Sequence, residues 1–356
     1  MTTAFTVDHL PGRTIRHEGQ HYLFFSGTAY LGLPQNAAFQ QVLIDSIGSY
    51  GTSFGSSRNG NLQLAVYQQA EAQLAAFVGA ETALTLSSGM MAGQAVVNYL
   101  RAQRYEFVYG PSTHPALWHE PDLILPAIPF AEWVEQIPNV VATVGRVAIV
   151  LNSLDAVRSQ AYSFEWVSRL PADVPITLVV DDSHGLGIIG EGGSGIWRQI
   201  PRLPSVQLLV TASLAKAMGL PGGVILGDAE TLGAIRRTPF FGGCSPMPPA
   251  YLQAYLQADE LYRQAREKLR QNVVLAEELL MPTGWFTHAP GYPVFYTEHD
   301  ELYPYLLEKG IFLYSFAYPT AADRANTRVV ISAFHEPEDI ERLAQHINEF
   351  ISSTQG

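Results

Sequence analysis

Lys216 is the first residue whose type and surroundings suit chemistry. It lies among small residues, close to the pair Gly222-Gly223, between apolar runs at 206–210 and 224–226 that are typical of short buried strands. A lysine in apolar surroundings loses its proton more easily, and a neutral amine is what a Schiff base with an aldehyde requires. Lys216 is therefore a candidate nucleophile, although a surface lysine at the start of a connecting helix explains the local sequence equally well.

A carboxylate and an imidazole follow another apolar run, at 176–180. Asp181 comes directly after that run and His184 three residues later. In an open parallel sheet, ligands bind beyond the carboxyl ends of the strands, and a buried carboxylate there needs a cationic partner. A protonated pyridine nitrogen would serve. The other interpretation is that Asp181 caps the next turn and His184 packs in the core.

Two further features give weaker signals. Ser88-Gly89 separates a strand candidate at 83–86 from a helix, and the free backbone N–H groups of a helix N-terminus suit a phosphate. Arg328 opens a strand-like run with a guanidinium suited to clamping a carboxylate. Taken alone, the turn is common in βα units and the arginine suits the surface equally well.

The elements that would position these residues alternate along the chain. Strand candidates at 83–86, 107–109, 147–151 and 176–180 are spaced by helical stretches, which predicts an α/β fold with a mostly parallel central sheet. Beyond Pro248 the pattern changes to one long helix at 249–280, followed by three strand-like runs and a closing helix. We expect an N-terminal arm over 1–38, a large domain over 39–246 and a smaller α+β domain over 247–356.

Composition limits the class of protein. The chain has 356 residues, of which 47% are apolar and 15% charged, and this suits a compact enzyme. Its net charge of -12 argues against a nucleic-acid surface. Cys244 is the single cysteine, so we expect neither an intrachain disulfide nor a Cys-based metal site. No secretory signal is present and no apolar run approaches the roughly 18 residues of a membrane span, so we expect a cytoplasmic protein.

Eight short stretches, in the same order as in a known family, run from about Tyr30 to the C-terminal helix. They resemble the α-oxoamine synthases, pyridoxal 5'-phosphate (PLP) enzymes of fold type I, a fold with helices on both faces of its sheet. The stretches are residues 29–33, 55–58, 88–89, 113–116, 181–187, 213–217, 244–249 and 328–335.

The resemblance implies a role for each residue that would grip the ring. Lys216 would hold PLP as a Schiff base and act as the proton-transfer base. Asp181 would pair with the pyridinium nitrogen and keep the ring an electron sink. His184 would hydrogen-bond the phenolic oxygen, and His114 would stack on the ring face.

The resemblance also implies the contacts of the phosphate and of the substrate. Ser213 and the turn at Ser88, Gly89 and Met90 would take the phosphate, and Arg328 would clamp the carboxylate of the amino acid. Ser245 would reach the phosphate of a neighbouring subunit, since the active sites of the family lie at a homodimer interface.

The implied reaction is the decarboxylative condensation of a small amino acid with an acyl thioester of CoA or of a carrier protein. This chain departs from the family pattern on the substrate side, where a Glu-Ser-…-Ser-Met-Asp-Gly stretch is replaced by residues 152–159. That departure favours an alternative, an aminotransferase, aldolase or lyase on the same scaffold. A third interpretation is a non-catalytic partner subunit, against which the retention of Lys216, Asp181 and His184 together argues.

Overall fold

The computed structural model describes residues 5–143, 145–317 and 325–354 of the chain. These residues form two compact units. One unit combines the N-terminal residues to Gln35, a short segment at 156–161 and the chain from Tyr262 onward, and we call it the terminal unit. The other, the central unit, comprises residues 36–155 and 162–261. This division by compactness differs from the expected boundaries at 38 and 246, which stay a prediction.

The strands are numbered in chain order. They are β1 Thr14–His17, β2 Gln20–Phe25, β3 Thr82–Leu86, β4 Glu106–Tyr109, β5 Val147–Asn152, β6 Leu154–Asp155, β7 Gln160–Ala161, β8 Ile176–Asp181, β9 Val206–Ser213, β10 Gly223–Gly227, β11 Thr287–His288, β12 Val294–Thr297, β13 Ile311–Ala317 and β14 Ala325–Val330.

The helices are numbered in the same way. They are α1 Ala37–Tyr50, α2 Ala65–Val78, α3 Gly89–Ala102, α4 Phe130–Val141, α5 Ala229–Arg236, α6 Pro239–Gly242, α7 Pro249–Gln257, α8 Asp259–Leu280, α9 Leu302–Glu308 and α10 Pro337–Thr354. None of the helices in the described ranges has the length and apolar character needed to cross a membrane.

The central unit is built on a six-stranded sheet in the order β3-β10-β9-β8-β5-β4. Strands β4, β5, β8 and β9 pair in parallel, and β10 runs antiparallel to both of its neighbours. The prediction of a mostly parallel sheet is therefore confirmed. Strand β8 is buried along its whole length, which explains why its sequence is a continuous apolar run and does not alternate.

The core of the central unit lies where α3 packs on β9 and β10. Its apolar residues come from both layers, and the small side chains of α3 allow the helix to approach the sheet closely. They include Ala92, Ala95, Val96, Val150, Val179, Leu209 and Ile225. Burial of this cluster fixes the sheet under the strand ends that carry the candidate site.

The terminal unit contains a second six-stranded sheet, in the order β1-β2-β13-β14-β12-β11. The expected N-terminal arm supplies two of its strands: β1 pairs antiparallel with β2, and β2 pairs parallel with β13. Strand β1 could not be predicted from its polar sequence, because Ile15 is the one buried residue among its four.

The expected single helix at 249–280 is two helices. Helix α7 ends at Gln257, Ala258 leaves the helical conformation, and α8 begins at Asp259. Helix α7 packs on α1 and α2 in the central unit. The break was not visible in the sequence because Ala258 is an excellent helix former, so the cause of the break is tertiary packing and not local preference.

Candidate active site

Asp181 is the last residue of β8 and lies at the carboxyl end of the parallel strands. Its side chain is 7% exposed, and Oδ1 accepts a hydrogen bond from the backbone N–H of Ser183 at 2.8 Å. In the ladder it is level with Asn152 at the end of β5 and with Thr211 near the end of β9. The sheet thus presents a buried carboxylate at the edge where ligands of open α/β sheets bind.

Lys216 lies in a compact turn between β9 and β10, and not in a helix. The backbone N–H of Leu214 donates to the carbonyl of Gly222 at 2.9 Å, and that of Gly219 donates to the carbonyl of Lys216 at 3.1 Å. Both strands that flank the turn were predicted from their apolar runs and are present. The turn holds the lysine backbone close to the end of the sheet.

A hydroxyl connects the Asp181 strand to the Lys216 strand. Ser183 Oγ accepts a hydrogen bond from the backbone N–H of Ser213 at 2.8 Å. Ser213 is the last residue of β9 and stands three residues before Lys216. The turn after β8 and the turn after β9 are therefore tied together.

His114 is within electrostatic range of both charged residues. Burial lowers the pKa of its imidazole, the Asp181 carboxylate partly offsets that, and the Lys216 ammonium lowers it further. Nδ1 accepts a hydrogen bond from the backbone N–H of Ala116 at 3.1 Å, so in the neutral ring the proton resides on Nε2. The structure thus groups an imidazole, a carboxylate and an amine, three of the predicted site residues.

The turn Ser88-Gly89 lies against the end of β9. Ser88 caps α3, its Oγ accepting the backbone N–H of Met91 at 3.2 Å. A Cβ added at Gly89 would lie 2.7 Å from Cβ of Ser213, and one added at Gly223 would meet the Ser88 backbone. Only glycine permits this approach, which brings a serine side chain beside the N-terminus of a 14-residue helix.

His184 and Asp182 belong to the turn that follows β8. His184 is partly exposed, whereas Asp182 is buried, and burial raises the pKa of its carboxyl to about 7 against hydrogen bonds from Ser153 and Ile196 that lower it. Oδ2 of Asp182 accepts the backbone N–H of Ile196 at 2.9 Å. This bond closes the loop that contains His184.

The groups assembled in the central unit fit PLP. The amine of Lys216 suits an aldehyde, the buried Asp181 suits a pyridinium nitrogen, and the start of α3 with Ser213 suits a phosphate. The glycines at 89 and 223 allow the ends of β9 and β10 to lie against that helix end, which places Ser213 beside it.

The other predicted site residues are Met90, Ser245 and Arg328. Met90 is 47% exposed on the first turn of α3, and Ser245 is exposed. The neighbouring Cys244 lies beside Ser87, with Sγ and Oγ 3.3 Å apart. Arg328 is in the terminal unit, on β14, where it is 8% exposed and Nη1 donates to the carbonyl of Ala156 at 3.0 Å.

Sequence reasoning missed the residues that hold the group together. Asn152 follows a buried apolar run directly, and Asp182 and Ser183 come one and two residues after Asp181; these positions were the available signal. Their partners are distant in sequence and are brought close by the alignment of the strands, which the sequence does not display.

Comparison with known proteins agrees with this geometry. The aminotransferase class I and II family profile matches residues 144–347, more than half of the chain. The 8-amino-7-oxononanoate synthase of Serratia proteamaculans is 29% identical over 363 residues, covering 95% of this chain and 91% of the relative.

Two solved structures share the fold. A serine palmitoyltransferase of Sphingomonas wittichii superposes with a TM-score of 0.81 at 17% identity, covering 99% of this chain and 93% of the other. A variant of the serine palmitoyltransferase from S. paucimobilis, solved with a bound PLP–myriocin aldimine, superposes with a TM-score of 0.80 at 16% identity, covering 98% of this chain and 93% of the other. The chain belongs to the aminotransferase class I and II family, and it is a PLP-dependent transferase of fold type I.

Proposed function

We propose that this protein condenses a small amino acid with an acyl thioester, giving an aminoketone, CO2 and a free thiol. The observation that carries the proposal is that His114 lies within electrostatic range of both Asp181 and Lys216, while Ser213, three residues before Lys216, lies against the first residue of α3. In the balanced reaction, Cα of the amino acid loses a proton and attacks the thioester carbonyl. The thiol leaves, the carboxylate departs as CO2, and Cα takes up a proton.

PLP, when bound, would supply an electron sink that stabilises negative charge at Cα. Lys216 Nζ would hold the cofactor aldehyde between turnovers and would take and return the Cα proton. Asp181, as a buried carboxylate, would keep the pyridine nitrogen protonated. His184 would hydrogen-bond the phenolic oxygen, and His114 would pack on the ring.

The phosphate would be held by backbone N–H groups at the start of α3 together with Ser213 and the Ser88-Gly89-Met90 turn. The charge of a phosphate complements the positive end of the helix dipole. For the substrate, we propose that Arg328 binds the carboxylate of the amino acid, since a guanidinium offers two parallel donors to a carboxylate.

We further propose that the protein acts in the cytoplasm as a homodimer with shared active sites. The exposure of Ser245 supports this, because an exposed serine is available to the phosphate of a partner subunit. The named relatives, an 8-amino-7-oxononanoate synthase and serine palmitoyltransferases, support an amino acid and an acyl thioester as substrate classes.

The altered stretch at 152–159 favours a second candidate, a PLP-dependent aminotransferase or lyase. In the terminal unit, the Ala156 carbonyl accepts from Arg328, and Ser159 Oγ donates to the carbonyl of Val294 at 2.6 Å. These groups of the stretch are occupied within the protein, which leaves them less available to a thioester.

One assay separates the candidates. Holoenzyme is incubated with glycine, alanine, serine or threonine labelled in the carboxyl carbon, with and without acyl-CoAs of several lengths. We expect CO2 release that depends on both an amino acid and a thioester, with free thiol formed in equal amount. CO2 release without thioester, or amino transfer to a 2-oxo acid, would replace the proposal with the second candidate.

A further inference from the structure

Asn152 is the first residue of the altered stretch, and its side chain bonds to the turn that carries His114. Oδ1 accepts the backbone N–H of His114 at 3.0 Å, and Nδ2 donates to the carbonyl of Ser112 at 2.7 Å. The oxygen and the nitrogen of one carboxamide thus bond to a single turn, at two residues, His114 and Ser112, that stand two positions apart.

That turn has an unusual backbone. Ser112 has φ +56°, in the left-handed region that non-glycine residues rarely adopt, and its side chain is exposed. Packing of its side chain therefore does not hold it there. The bond from Asn152 to the carbonyl of Ser112 stabilises this conformation, and Thr113 supports it by donating through Oγ1 to the carbonyl of Gly110 at 2.7 Å.

Asn152 also stands level with Asp181, the carboxylate of the site. It pairs with Asp181 across the parallel β5–β8 ladder, and the next residue, Ser153, donates its backbone N–H to the carbonyl of Asp181 at 2.8 Å. The carboxamide therefore connects the His114 turn to the strand end on which Asp181 lies.

The chemistry of the side chain matters. A carboxylate at the position of Asn152 would accept from the His114 N–H but would have no proton to donate to the Ser112 carbonyl. An amide satisfies both partners at once. The carboxamide of Asn152 is matched to a turn that presents one donor and one acceptor.

We propose that Asn152 is a positioning residue, which sets the place of the His114 imidazole relative to Asp181 and so the contact of His114 with PLP. The proposal rests on the proposed function only in assigning His114 to the cofactor ring. Asn152 itself touches neither substrate nor cofactor in this account.

The first test is hydrogen exchange in the cofactor-free protein. In Asn152→Ala, the amide of His114 loses its acceptor, and we expect the peptide covering residues 110–118 to exchange about tenfold faster. Asn98→Ala is the matched control, since Asn98 is half-buried and donates through Nδ2 to the carbonyl of Gln94 at 2.8 Å on α3. Unchanged exchange in the 110–118 peptide of Asn152→Ala would overturn the proposal.

The second test is a double-mutant cycle on the dissociation constant of PLP, read from cofactor absorbance. We expect Asn152→Ala to weaken PLP binding about tenfold in the parent and less than about twofold in a His114→Ala background. Equal weakening in both backgrounds would show that Asn152 does not act through His114. Because the cycle measures cofactor binding alone, it is unaffected if the protein proves to be an aminotransferase.

A conservative variant covers the case in which Asn152→Ala does not fold. Asn152→Asp keeps an acceptor for the His114 N–H but sets a carboxylate oxygen against the Ser112 carbonyl. We expect partial protection of the 110–118 peptide and an intermediate loss of PLP affinity. If the exchange of the 110–118 peptide and the PLP affinity of Asn152→Asp both equalled those of the parent, an amide would not be needed at this position.

Discussion

The hydroxyl of Ser183 accepts a hydrogen bond from the backbone N–H of Ser213, at 2.8 Å, and so joins the turn after β8 to the end of β9. One turn follows Asp181 and the other leads to Lys216. This contact adds to the β8–β9 ladder in setting the distance between a carboxylate and an amine that must act on one ligand.

Ser183→Ala tests that contact. Removing the hydroxyl leaves the Ser213 N–H without this acceptor, which costs about 1 kcal/mol and corresponds to roughly fivefold weaker PLP binding. Ser163→Ala is the control, because the Ser163 hydroxyl also accepts a backbone N–H, from Glu165, at an exposed place. A PLP titration in which both variants match the parent would show that the contact does not shape the site.

Gly93 permits α3 to approach the His114 turn. A Cβ at this position would lie far inside contact distance of the Ala116 carbonyl oxygen. We expect Gly93→Ala to lower the free energy of unfolding by about 1–3 kcal/mol through overpacking and to weaken PLP binding.

We expect Gly48→Ala, on another helix, to change the free energy of unfolding in the opposite direction. A Cβ at Gly48 in α1 meets nothing within 4 Å, so replacement by alanine is expected to raise the free energy of unfolding by up to about 1 kcal/mol. Chemical denaturation of both variants measures the contrast. A stabilised Gly93→Ala protein would contradict the described packing.

His335 makes stability depend on pH. Its side chain is buried, Nδ1 accepts the Ser332 N–H at 3.0 Å, Nε2 lies 3.0 Å from the Phe24 carbonyl, and burial lowers its pKa to about 4. In the unfolded chain this histidine has an ordinary pKa near 6.5. Below that pH the unfolded chain therefore binds a proton, whereas His335 of the folded chain stays neutral until the pH approaches 4. The stabilisation is complete above pH 6.5 and is lost as the pH falls towards 4.

The measurement compares the parent with His335→Gln at pH 7 and 4.5. We expect the free energy of unfolding of the parent to fall by about 2 kcal/mol more than that of the variant. Asp182 has the opposite effect, because its raised pKa, about 7, favours the folded state as the pH falls. Asp182 is present in both proteins, so the difference between parent and variant reports His335 alone. Parallel pH profiles would refute a neutral buried imidazole.

Lys216→Ala is expected to abolish turnover and to leave the fold intact. The lysine lies in a turn held by backbone hydrogen bonds, so removal of its side chain leaves those bonds in place. Thermal denaturation within a few degrees of the parent, together with a loss of turnover of at least about a thousandfold, is the expected pair of results. Lys268→Ala, which breaks an ion pair with Glu336, is a control expected to keep full activity.

The sequence predicted the central sheet well, for a physical reason. Strands buried on both faces read as continuous apolar runs, and β5 and β8 were found in this way. It predicted β1 poorly because that strand is mostly unburied. The reversed direction of β10 follows from the tight turn around Lys216, which is too short for a parallel crossover.

The reactive residues could be anticipated from type and position, but the contacts that arrange them could not. Asn152 and His114 are 38 residues apart in sequence, and Ser183 and Ser213 are 30 apart. These pairs meet only because strands of the sheet align in a particular register. Local sequence carries no record of that register.

The most direct test of Lys216 as the PLP-binding residue is reduction of the PLP-loaded protein with borohydride, followed by peptide mapping of the modified lysine. The chain has three lysines, Lys216, Lys268 and Lys309, so the assignment is unambiguous. We expect a stable pyridoxyl group on Lys216 and none on the other two. Modification of Lys268 or Lys309, or a protein that takes up no PLP, would contradict the site described at the ends of β8 and β9.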